Sequence, residues 1–153
     1  MTQHSLTVIE NSLQKTNELM QAIQDALILE SQHDAYVILR GVLHALRDRM
    51  PPESVVKFGA QLSLIVRGIY YDEWHLKTSP LKIRHMDEFL ALVDSYVHNP
   101  KLTPLASDKI ARIFEVLGHH INPEELAKVA KNFPEQIRTT VFPDAILRLL
   151  IEA

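Results

Sequence analysis

A chain of 153 residues, 46% hydrophobic and 23% charged, has the make-up of one ordinary globular domain that can bury a core without staples. Cysteine is absent, which excludes disulfides, thiolate metal sites and a cysteine nucleophile and fits a reducing compartment. The net charge of −3 argues against a nucleic-acid partner, since general binders of nucleic acid carry a basic stripe.

At the start of the chain, MTQHSLTVIENS has no basic stretch followed by an apolar run, so no secretory signal is expected. Apolar runs such as ALIL and LIV fall far short of the roughly 20 residues that span a bilayer. The expected location is the cytoplasm, without a membrane partner. Four scattered glycines, no Asn-Gly or Asp-Gly turn and little β-branched alternation leave strands without support.

Helical periodicity is clear instead. Ile9, Leu13, Thr16, Met20, Ile23 and Leu27 step by three and four along one face of a long helix. Asp34 is the predicted N-cap of a second helix. Its stripe is Tyr36, Leu39, Leu43, Leu46 and Met50, widened by Val42. Pro51 and Pro52 stop that helix, and Pro52 suits the first position of the next, where its missing N–H costs nothing.

The stretch from Ala35 to Trp74 is then echoed from Ser107 to Phe142. Setting Met50 on Ile121 aligns Leu39 with Ile110, Leu43 with Phe114 and Leu46 with Leu117. It also aligns Pro52 with Pro123, Glu53 with Glu124, Lys57 with Lys128 and Arg67 with Arg138. Asn17-Glu18-Leu19-Met20 matches Asp87-Glu88-Phe89-Leu90 with a slip of one residue, placed in the loop before Asp34 or Leu105. Asn122, Pro123 and Glu125 read as an N-cap, a first-position proline and the glutamate of a capping box. Pro134 breaks the third helix of the second copy, and Leu62-Ser63 stands at the equivalent place in the first.

The expected fold is therefore all-α, a helical bundle in one domain over residues 1–153. It comprises two tandem repeats of about three helices each, the third kinked or broken. The repeats cover about 15–74 and 85–142, joined by a connector at 75–84. A short C-terminal helix follows Pro143 and buries Ile146, Leu149 and Leu150.

Four motifs, VLHALRDRMPPE, AQL-x-x-x-x-RG-x-YY-x-x-W ending at Trp74, PLKIRHMDEFLALV and HHINPEEL, give the chain a family likeness. Over roughly residues 15–142 it resembles a family of small bacterial proteins known as domain of unknown function 2267. The family's Leu-Pro dipeptide appears here as Leu62-Ser63 and Phe133-Pro134. The resemblance implies an all-α bundle and brings no accepted activity and no catalytic residues.

Three constellations could carry function. Tyr70, Tyr71 and Trp74 with Lys77, Lys82 and Arg84 gather rings and cations suited to an anionic ligand or an acidic partner. The alternative is that Trp74 and Leu81 plug the seam between the halves while the charges stay solvated. His119, His120 and Glu124 could supply metal ligands. Against that, adjacent helical residues point about 100° apart, and histidines at a helix end or glutamates in a first turn suit the dipole. His44 reads as a partly buried or surface histidine.

No G-x-S-x-G, no Gly-rich phosphate loop and no Arg/Asn/Gln-rich recognition helix is present. The leading expectation is a non-enzymatic helical module, without a cofactor, that binds a protein partner or forms a homo-oligomer. Its contact would be the stripe Leu6, Ile9 and Leu13. The alternatives are small anionic-ligand binding or hydrolysis at the seam, or a His/Glu metal protein.

Overall fold

The structure, a computed structural model, describes residues 2–76 and 80–152, with side chains from Leu6 to Ile151. Among them the secondary structure is helical throughout, and no helix is long and apolar enough to cross a membrane. The helices are α1 (Thr2–Leu27), α2 (Gln32–Arg49), α3 (Pro52–Gly59), α4 (Leu64–Tyr71) and α5 (Met86–Val97). They continue as α6 (Ser107–His120), α7 (Pro123–Ala130), α8 (Glu135–Val141) and α9 (Asp144–Glu152).

The helix ends recur at a fixed spacing. The ends of α2 and α6, both bounds of α3 and α7, and the starts of α4 and α8 are related by 71 positions. The ends of α1 and α5 are related by 70, and each is followed by a left-handed residue, Ile28 (φ 54) and His98 (φ 48). A left-handed residue past the last turn ends a helix by turning the chain sharply. The spacing between matching helix ends thus changes from 70 at α1 and α5 to 71 at α2 and α6.

Packing follows the same pairing. α1 lies on α6 and α5 lies on α2, so each opening helix covers the second helix of the other set. α4 packs on α1 and α2, as α8 does on α5 and α6, and α3 meets α7. α9 closes over α7 and sets Ile146 near Gly118.

The core is one continuous cluster. It runs from Leu19, Ile23 and Leu27 of α1 through Leu39, Leu43 and Leu46 to Phe114 and Leu117 of α6. Phe89, Phe133, Phe142 and Phe114 form a chain of rings at 5.6, 5.6 and 4.8 Å between centroids. α2 and α5 approach so closely at Gly41 that a Cβ there would lie 2.7 Å from Val97 Cγ2. Only glycine fits that crossing without displacing α5.

Local chemistry explains the ends, with two corrections. Ser31, not Asp34, caps α2; its Oγ accepts the Asp34 N–H at 3.1 Å. Asp34 instead falls in the first turn, where its carboxylate favours the dipole. Asn122 does cap α7, its Oδ1 accepting from the Glu124 N–H at 3.0 Å. Glu125, expected to reach back to the cap, turns instead to Lys128 Nζ at 3.2 Å.

The expected breaks separate α3 from α4 and α7 from α8. The Arg67 guanidinium donates to the carbonyls of Gly59 (3.0 Å) and Leu62 (2.9 Å), supplying donors that the end of α3 lacks. At the far side of the gap, buried Ser12 of α1 accepts the Ile65 N–H at 2.9 Å and so caps α4 from another helix.

Candidate functional site

The largest concentration of buried polar chemistry lies in the second half of α2. That helix was expected to be amphipathic, yet Gly41 through Asp48 are all buried because α1, α4 and α5 surround it. His44 is 0% exposed, so its reading as a surface or half-buried group is corrected; Arg47 and Asp48 are 1% and 3% exposed. A buried charge is tolerable only when it is paired and hydrogen-bonded, and Arg47 and Asp48 pair with each other.

Arg47 Nε donates to Asp48 Oδ1 at 2.9 Å, while its Nη1 donates to the carbonyls of Tyr70 (2.8 Å) and Asp72 (2.9 Å) at the end of α4. The other Asp48 oxygen accepts from the Tyr96 hydroxyl of α5. The Asp48 carbonyl accepts the Leu81 N–H at 2.7 Å. Arg49 Nε donates to the Ile83 carbonyl at 2.9 Å. Three consecutive residues of α2 thus hold α4, α5 and the connecting strap. Burial, then the hydrogen bond to Asp48, pushes the Tyr96 phenol up to about 12.

His44 completes the group. Its Nε2 lies 2.8 Å from the Ile69 carbonyl, which can only accept, so Nε2 carries the proton. Nδ1 is buried without a partner. Desolvation, with the Arg47 and Arg40 charges behind it, lowers the imidazole to about 4 despite the bond to Ile69. The ring meets Tyr96 edge-on at 5.2 Å. Such a cluster fixes helices; with Arg47, Asp48 and His44 closed off from solvent, it offers a substrate no approach. Its one sequence signal was the run of three charges, Arg47, Asp48 and Arg49, on the helix that carries the apolar stripe from Leu39 to Met50.

The aromatic segment is brought together only in part. Tyr70 is 0% exposed, donates its hydroxyl to the Val55 carbonyl at 2.9 Å and meets Phe58 edge-on. It is a core residue and cannot line a surface; burial raises its phenol. Tyr71 lies over Gly59, where a side chain would collide with its ring, and contacts Trp74 at 5.9 Å. Trp74 is half-buried, and its indole N–H is enclosed without an acceptor. Lys82 and Arg84 are exposed on either side of buried Ile83. Lys77 lies outside the described residues.

The third constellation is not assembled. His119 and His120 end α6 and Glu124 opens α7, all exposed. Among the described residues no group of three or more His, Asp or Glu could hold a metal ion.

The stripe Leu6, Ile9 and Leu13 is the opposite of enclosed, at 55%, 50% and 51% exposure. Ile9 is in helical register with Thr16, Ile23 and Leu27, which are buried, so it is exposed for want of cover. Alongside, Leu64 at the start of α4 is also half exposed, one residue from the Ile65 amide held by Ser12.

Compared with known families, residues 16–140 match the model of a family described as an uncharacterized conserved protein, DUF2267. No curated protein matches the chain.

Proposed function

This chain belongs to the DUF2267 family, and on that premise we propose that it is a non-enzymatic helical interaction module that pairs with a second copy of itself through the N-terminal half of α1. The carrying observation is the exposed stripe Leu6, Ile9 and Leu13, spaced to present one face of the helix. A two-fold contact requires a patch that complements itself. Residues 5–14 contain a single formal charge, Glu10, so the stripe carries little charge to oppose contact with its own copy. The buried arginine, aspartate and histidine of α2 support the non-enzymatic part, because all are consumed in holding helices.

The absence of cysteine makes the test direct. Ile9→Cys is expected to form an intermolecular disulfide under mild oxidation, whereas Val56→Cys, equally exposed on α3, stays monomeric. Equal cross-linking of both variants, or of neither, contradicts the proposal.

One observation favours a second reading, small anionic-ligand binding beside Trp74, Lys82 and Arg84: the indole N–H of Trp74 is buried and unpaired. Titrating the fluorescence of this single tryptophan with inorganic phosphate tests it, and a flat response removes it.

A further inference from the structure

α1 begins earlier than its counterpart. At the 70-position spacing of the two helix ends, Met86, the first residue of α5, corresponds to Thr16, so residues 2–15 of α1 have no equivalent in the second set. Every side chain from Leu6 to Asn11 is exposed, and Ser12 is the first described side chain that the rest of the chain buries. Along α1 the surface beside the stripe is open at this end and closed at the other. Gln32, at the start of α2, donates from Nε2 to Gln21 Oε1 at 2.9 Å, and Gln24 Nε2 donates to the Leu29 carbonyl at 3.3 Å. A shallow groove beside the stripe runs from Glu10 and Leu13 past Asn17 to Gln21, and there it meets Gln32.

We propose that the second copy lies antiparallel on α1 and crosses it at Ile9, with Leu6 of each copy packed on Leu13 of the other; this rests on the self-pairing proposed above. The stripe fits its own reversal. Leu6 precedes Ile9 by one turn and Leu13 follows it by one turn, so turning the helix end for end about Ile9 sets leucine on leucine. In that arrangement the partner's Thr2 reaches only as far as Asn17, short of the contact between Gln21 and Gln32. A parallel copy would run beside the whole of α1 and meet the turn into α2, where Gln21 and Gln24 are tied down. It would also set two helix N-termini side by side, and the first turn of α1 holds no acidic residue to offset their like partial charges. Antiparallel pairing sends those ends apart and lets the dipoles oppose each other. Glu10 is the one charge that the crossing brings near its own copy; it is exposed, so salt screens it and the cost is small.

The test uses single cysteines in a chain that has none. Leu6, Ile9 and Leu13 are each about half exposed, so the variants should fold normally. A disulfide forms only between positions whose Cβ atoms nearly touch. Under mild oxidation, Leu6→Cys alone and Leu13→Cys alone are expected to stay monomeric, because neither position meets itself. An equimolar mixture of the two, one carrying a size tag, is expected to give a mixed disulfide dimer, while Ile9→Cys cross-links by itself. Self-cross-linking of Leu6→Cys or Leu13→Cys, or no mixed dimer while Ile9→Cys still cross-links, overturns the antiparallel arrangement and leaves self-pairing standing. Failure of Ile9→Cys to cross-link overturns both.

Discussion

Ser63 and Pro134, 71 positions apart, hold the same backbone conformation, φ −63°, ψ 158° and φ −59°, ψ 154°. Both are the N-caps of the helix that follows a break, and on the near side of each gap the hydrogen bonds match. Gln61 and Asn132 donate to Phe58 and Val129 at 3.0 Å, and Leu62 and Phe133 donate to Gly59 and Ala130 at 3.1 Å. Proline is therefore not what makes the break in the first set; the geometry is held without it, by Arg67 and Ser12. If one unit has been used twice, Ser63→Pro should be accepted. Its φ is already that of proline, so the substitution should stabilise the chain by about 0.4–1 kcal/mol through the unfolded state, measured by urea denaturation. Destabilisation would show that the two breaks are alike only in outline.

His44 gives a pH dependence of defined sign. Its imidazole is held at about 4 in the folded chain, against an ordinary value of 6.5. As pH falls below the unfolded value, the unfolded chain binds a proton that the folded chain refuses, so stability declines between about pH 6.5 and 4. The full loss from this group is at most about 3 kcal/mol. His44→Gln keeps a donor for the Ile69 carbonyl and cannot titrate. Urea unfolding at pH 7.5 and 4.5 should show a smaller acid loss in the variant than in the wild type; identical losses would contradict the assignment.

Arg47→Met should be severe. It leaves the Asp48 carboxylate buried without its cation and removes the donor that holds the carbonyls of Tyr70 and Asp72. Removing one partner of a buried pair costs about 3–5 kcal/mol. Arg47→Lys should not restore the loss, because one ammonium cannot reproduce the fork that serves Asp48 and two carbonyls at once. A drop below about 1 kcal/mol in chemical denaturation of the methionine variant would mean that the network is dispensable.

Much of this architecture was legible in the chain. Apolar residues stepping by three and four placed the helices, and Pro52, Pro123 and Asn122 marked starts because each fits a first turn for a local reason. What was not legible depended on neighbours distant in sequence. Arg47 and Asp48 look like solvent-facing charges until α5 covers the far side of α2, where Tyr96 and the Leu81 amide await them. Tyr70 beside Tyr71 and Trp74 resembles a recognition surface, yet helical geometry turns it inward onto Val55 and Phe58. The Asp34 cap was misplaced by three residues because Ser31, an equally good capping residue, stands just ahead of it.

The self-association reading depends on the α1 stripe being covered by another chain. Light scattering over a concentration series on the wild-type protein and on Ile9→Glu/Leu13→Glu measures this most directly. Both positions are about half exposed in the single chain, so the substitution should leave folding and helical content unchanged. The expected result is a mass that rises toward two copies in the wild type and stays at 17.5 kDa in the variant. A wild-type mass of 17.5 kDa at every concentration, or a dimer that survives the two glutamates, would contradict it.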